Sequence, residues 1–137
     1  MRLISDTRDE DGVCVLALGG EIDLQFAPVL RTVLQEKGSG RCGALVLDLS
    51  EVTFIDSSGI AAIIGHLREA AQSRSRFCIG GVSETVEGII EVICLRKAMS
   101  VFRTRAEALK AMRQREIAAP EKPLFSTQER DDPPASA

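Results

Sequence analysis

Tryptophan and tyrosine are absent from this 137-residue chain, and histidine occurs once, at His66. Without those large rings, a platform for stacking bases or sugars is not expected. One histidine and four cysteines with no C-x-x-C spacing argue against a zinc site. The carboxylates Glu21, Asp23 and Asp56 lack the D-x-D-x-D-G order of a calcium loop. Neither a metal nor a cofactor is therefore expected. Cys14, Cys42, Cys78 and Cys94 are expected to be free thiols serving as small buried hydrophobes, as in a reducing compartment. No apolar run approaches the roughly 18–20 residues needed to span a bilayer. Met1–Asp6 also lacks the apolar core of a secretion signal. The expectation is a cytoplasmic protein without a membrane partner.

Charge of one sign is missing from the body of the chain. Net charge is −3, but acids and bases balance through residue 115, so the surplus acid falls in residues 116–137. A neutral body gives no electrostatic reason to bind nucleic acid. The last segment also holds four of the five prolines. Residues 1–115 are expected to form one domain, and residues 116–137 a disordered acidic, proline-rich tail.

Within the body, hydrophobic spacing alternates between extended and helical. Arg2–Arg8 and Val13–Leu18 read as two strands joined by a turn at Asp9-Glu10-Asp11-Gly12. Gly19–Asp23 reads as a loop leading into a helix with Pro28 in its first turn and Leu30, Val33 and Leu34 on its buried side. Ala44–Leu49 is apolar enough for a central strand. A second helix over about residues 58–72 carries Ile60, Ile63, Ile64, Leu67 and Ala71 on one face. Gly65 inside it suggests close packing, because glycine there costs up to about 1 kcal/mol against alanine. Arg76–Val82 reads as a strand running into a loop, Ser83 caps a third helix, a short strand lies near Met99–Phe102, and Thr104 starts a last helix. The expected fold class is therefore α/β: a sandwich with a mixed, mostly parallel sheet of about five strands and about four helices, in β-β-α-β-α-β-α-β-α order. The loops 19–23, 53–58 and 80–83 should gather on one sheet edge, where open α/β sheets bind.

Candidate chemistry centres on Asp56-Ser57-Ser58-Gly59, where a buried strand hands over to a helix. A helix N-terminus presents unpaired N–H groups and a partial positive charge, so a phosphate there is compatible with the fold. Serine hydrolase chemistry is excluded, because His66 lies about 13 Å further along the helix and on its far side. Nor does the stretch match G-x-S-x-G. His66 itself reads as a solvated surface residue beside Arg68 and Glu69. Helix capping remains the plain alternative for the serines, with Ser57 as N-cap and Ser58 as the first helical residue. Gly19-Gly20 and Gly80-Gly81 match no phosphate-binding pattern and read as turn glycines.

Gly20-Glu21-Ile22-Asp23, the stretch Leu47–Ile60 with its Asp-Ser-Ser-Gly core, and the element order resemble the STAS domain family, in its stand-alone bacterial branch of anti-sigma factor antagonists. The resemblance spans about residues 2–113. It implies a regulator rather than an enzyme. In its unphosphorylated form such a protein binds an anti-sigma factor that is also a serine kinase, which releases a sigma factor. The kinase phosphorylates the serine after the motif aspartate, here Ser57, and a serine phosphatase reverses this. The resemblance also implies that Glu21, Asp23, Asp56, Ser58 and Gly59 belong to the partner-binding region. After the third helix the family often has a small residue, glycine and leucine, whereas this chain has Cys94-Leu95-Arg96-Lys97, a more basic surface. The alternative reading is a STAS adaptor of a signalling assembly or transporter-associated module, without serine phosphorylation.

Overall fold

The computed structural model describes residues 3–8, 12–38 and 43–114. The tail 116–137, the turn residues 9–11 and Cys42 lie outside the described residues. In chain order the elements are β1 (Leu3–Arg8), β2 (Cys14–Ile22), α1 (Ala27–Gly38), β3 (Ala44–Ile55), α2 (Ser57–Ser73), β4 (Arg76–Val82), α3 (Glu84–Val92), a 3-10 turn (Leu95–Lys97), β5 (Val101–Phe102) and α4 (Arg105–Arg113). The five strands lie side by side in sequence order. β1 pairs antiparallel with β2, and the remaining pairs are parallel.

Strand alternation sends side chains to two separate cores. Leu45, Leu47 and Leu49 of β3 join Leu30 and Leu34 of α1, Ile63 and Leu67 of α2, and Ile90 of α3 in the larger one. Val46 points the other way and packs with Val15, Cys78 and α4's Ala108, Ala111 and Met112. β3 is thus apolar on both sides because helices cover both, as its continuous run requires. Each fully buried leucine contributes about 1.5–3 kcal/mol relative to exposure.

α4 is fastened by charge as well as packing. Asp48 is buried at 6% exposure. Its carboxylate accepts from the Ser50 N–H at 2.9 Å, from the Ser50 hydroxyl, and from Arg105 Nε at 2.9 Å. Thr104 caps α4 by accepting from the Glu107 N–H, as its sequence spacing predicts. Ser83 likewise caps α3 through the Val86 N–H.

Several local expectations are corrected. Gly19–Ile22 is strand rather than loop, because it continues the parallel ladder against Glu51–Ile55 of β3. Gly80 and Gly81 are not turn glycines but part of β4 under α4. A Cβ on Gly80 would sit 2.5 Å from the Ala108 Cβ, and Gly81 has φ +118°, a conformation other residues rarely adopt. Close packing in α2 falls at Gly59 rather than Gly65, where a Cβ would meet nothing within 4 Å. Cys14 is disulfide-bonded, so the free-thiol expectation fails there, while Cys78 and Cys94 are free. Cys94 is exposed rather than buried.

Candidate functional site

Parallel register brings the singled-out residues together. Glu21 lies across from Phe54 and Ile22 from Ile55, and the Asp56 N–H donates to the Ile22 carbonyl at 3.1 Å. Asp23 and Asp56 each follow the last residue of a parallel strand, so both chains leave the sheet side by side. The third expected loop sits back from this tip. Ser83 donates from its hydroxyl to the Val52 carbonyl at 2.6 Å, three residues before Ile55, or about 10 Å along a strand. β2 and β3 therefore project beyond β4, carrying the Asp56 corner with them.

Asp56 caps α2, and Asp23 closes the turn that leads into α1. Asp23 accepts from the Phe26 N–H at 3.1 Å through Oδ1, and its carbonyl accepts from the Ala27 N–H at 2.9 Å. Asp56 adopts an extended backbone, and its Oδ1 accepts from the Ser58 N–H at 2.9 Å and the Gly59 N–H at 3.2 Å. The expectation that Ser57 is the N-cap is thereby corrected: Asp56 has the extended backbone of a cap, Ser57 is already helical, and the carboxylate favours the helix dipole. Ser57 becomes the first helical residue. Its side chain is exposed, and its hydroxyl makes no hydrogen bond among the described residues. Ser58 is half-buried. Gly59 is buried where the helix start presses on the strand ends, and a Cβ there would sit 2.7 Å from the Ile22 Cγ2 and 2.8 Å from the Ile55 Cγ1.

Two apolar side chains that the sequence reading did not single out lie at the same tip. Leu24, directly after Asp23, is 71% exposed, and Phe54 is 46% exposed. The cause of the second is visible in the ladder. Gly20 pairs with Val52 and Glu21 with Phe54, so Thr53 is an extra residue on β3. That shift leaves Thr53 and Phe54 facing out in succession between the buried Val52 and Ile55. A break in alternation before the Asp-Ser-Ser-Gly stretch was the available signal. Exposed leucine and phenylalanine beside exposed Glu21 and Ser57 make a surface suited to a protein partner.

His66 is far from this tip and is not a solvated residue, which corrects the expectation. It is 6% exposed, its ring meets Phe77 edge-on at a centroid distance of 4.5 Å, and burial pushes it down to about 4. Among the described residues no group of three or more His, Cys, Asp or Glu is placed to hold a metal ion. No helix among them is long and apolar enough to cross a membrane.

A five-stranded mixed sheet with a projecting β2–β3 tip and an Asp-capped serine corner defines an α/β sandwich. Residues 5–108 match the STAS domain, and the chain belongs to the STAS domain family. It is 33% identical over 105 residues to the anti-sigma-F factor antagonist RsfB of Mycobacterium tuberculosis, covering 77% of this chain and 85% of that protein. Its fold is similar to the crystal structure of an anti-sigma factor antagonist from Mycobacterium paratuberculosis, with TM-score 0.75 and 27% identity over 82% of this chain and 95% of that one. The Bacillus cell fate determinant SpoIIAA, solved in its phosphorylated form, shares the fold with TM-score 0.63 at 21% identity, covering 80% of this chain and 99% of that one.

Proposed function

We propose that this chain is a cytoplasmic anti-sigma factor antagonist, a regulator rather than an enzyme, that binds an anti-sigma factor with serine-kinase activity and is switched off by phosphorylation of Ser57. The observation that carries this reading is the division of labour at the corner. Asp56 satisfies the helix N-terminus, which leaves the Ser57 hydroxyl exposed and unused by the fold. Relatives named anti-sigma factor antagonists support the choice of partner class.

The switch then follows from electrostatics. A phosphate on Ser57 adds about −1.5 to −2 charges at neutral pH. α2 has no acid in its first turn, so the helix dipole favours the new group while the Asp56 carboxylate opposes it. The interior is untouched, because Ser57 is exposed. Binding is not untouched: a partner seated on Leu24, Phe54 and the Ser57 corner must desolvate a doubly charged group. A loss of about 3–4 kcal/mol there weakens binding by two to three orders of magnitude. A serine phosphatase acting on the same exposed group restores the binding form.

The test is incubation of the full chain with ATP and the serine kinases of its own organism, followed by site-resolved mass spectrometry. Phosphate on Ser57, lost in Ser57→Ala, is the expected result. Absence of modification at Ser57 by any of them overturns the switch and favours an adaptor that binds without phosphorylation.

A further inference from the structure

β5 ends the sheet, and among the described residues no strand lies beyond it. Its inner side is satisfied. The Ser100 carbonyl accepts from the Ile79 N–H at 3.1 Å, and the ladder sets Val101 against Ile79 and Phe102 against Gly80. Backbone groups alternate in direction along a strand, so the N–H and C=O of Val101 point away from β4. An open groove of about 510 Å³ runs along that outer side, lined by Lys97, Ala98, Ser100, Val101 and Phe102 among others. A second depression, of about 320 Å³, shares Phe102 and passes Glu107 and Lys110 to reach Gln114, the last described residue. The two meet at Phe102 and form one track from the end of α4 to the turn at Lys97. Lys97, Arg103 and Lys110 are exposed and make no ion pair among the described residues, whereas Arg96 is paired with Glu87 and Arg105 with Asp48.

The chain itself carries a segment of matching chemistry. Residues 116–137 hold five acids against two bases, opposite in sign to the unpaired cations of the track. Proline cannot donate to a ladder. Pro120, Pro123, Pro133 and Pro134 leave Leu124–Asp132 as the longest proline-free window there. It opens with Leu124-Phe125 and closes with Glu129, Asp131 and Asp132. Successive side chains of a strand face opposite ways, so Leu124 and Phe125 would present one apolar group to each side of the sheet. The edge asks for that pair: half-buried Ala98 and Val101 pack on the larger core and half-buried Phe102 on the smaller. Reach is sufficient. Ten residues lead from Gln114 to Leu124, up to about 33 Å when extended, and Ala98–Phe102 is about 16 Å long. A segment too polar to build a core of its own can still fold onto one that exists.

We propose that Leu124–Asp132 lies along β5 of the same chain as an added strand, with Phe125 beside Phe102, Leu124 on the Ala98 side and its acids toward Lys97 and Lys110. It covers an edge that would otherwise be open to pairing with another chain. The contact leaves out the Ser57 corner and does not depend on the function proposed above.

The chain has no tryptophan, so Phe125→Trp in the full chain reports on this segment alone. Its emission should be blue-shifted against the same variant in urea, at every protein concentration. Lys97→Glu with Lys110→Glu alters two exposed side chains and should return the emission to the solvent-exposed value without changing the circular dichroism. Adding Glu129→Lys, Asp131→Lys and Asp132→Lys should restore the blue shift. In the wild type the Val101 amide should exchange about tenfold or more slowly than in Phe125→Ser. Solvent-exposed emission from the folded variant, or equal Val101 exchange in wild type and Phe125→Ser, overturns the proposal. A blue shift that survives the lysine reversals overturns it too, and one that grows with protein concentration gives the edge to a second copy instead.

Discussion

Two glycines of the same helix should respond to alanine with opposite signs. At Gly59 the added methyl would lie 2.7 Å from the Ile22 Cγ2, 2.8 Å from the Ile55 Cγ1 and 3.1 Å from the Ile22 carbonyl oxygen. None of these atoms yields easily. Ile22 is 0% and Ile55 4% exposed, and a backbone oxygen bonded to the Asp56 N–H is held in place. Overpacking of this kind costs about 1–3 kcal/mol, and the helix-propensity gain of up to about 1 kcal/mol offsets only part of it. The net loss for Gly59→Ala is about 1–2 kcal/mol, or a Tm lower by about 4–8 °C. At Gly65 nothing lies within 4 Å of the methyl, so only the propensity term acts. Gly65→Ala should raise stability by up to about 1 kcal/mol. Thermal and urea unfolding of the two variants beside the wild type gives the comparison. If Gly59→Ala matches or exceeds the wild type, or if both variants move in the same direction, the packing of α2 on the strand ends is wrongly described.

Three further outcomes are expected. Burial lowers His66 from 6.5 to about 4, so the fold favours its neutral form. Stability on this account is intact above pH 6.5 and falls as pH drops from 6.5 toward 4, by about 3 kcal/mol in all; His66→Leu should flatten that window in unfolding measured against pH. Arg105→Ala leaves the buried Asp48 carboxylate with only its Ser50 bonds, which should cost about 1–3 kcal/mol and speed amide exchange in α4 before the rest of the sheet. Asp56→Ala removes the cap accepted from Ser58 and Gly59 and should cost about 0.5–2 kcal/mol, whereas Ser57→Ala should leave unfolding within about 0.5 kcal/mol of wild type.

Much of this fold is legible where local chemistry decides. Ser83 and Thr104 cap their helices as their spacing predicts, and the apolar run Ala44–Leu49 is central because both faces are covered. The reading loses accuracy where tertiary pairing overrides local preference. Gly19-Gly20 and Gly80-Gly81 look like turns in isolation, but the β2–β3 and β3–β4 ladders extend through them and α4 demands a residue without a side chain at Gly80. In α2 the large apolar residues drew attention to Ile60 and Ile64, which are only half-buried. The buried face instead includes Gly59, Ala62, His66 and Ala70, small residues that let the helix sit close, and His66 is enclosed with them. At the Asp56 corner the residue types and their order were visible. The assignment of the cap to Asp56 rather than Ser57 was not, because both are good capping residues and only the backbone geometry separates them.

The central claim is that one exposed hydroxyl governs partner binding without supporting the fold. Its most direct test is calorimetric titration of the cognate anti-sigma factor with the unmodified chain and with the same chain phosphorylated stoichiometrically at Ser57, alongside the unfolding curves of both forms. The account predicts binding weaker by about two to three orders of magnitude and unfolding free energies within about 1 kcal/mol of each other. Equal affinity of the two forms, or loss of binding that tracks loss of folded structure, would contradict it.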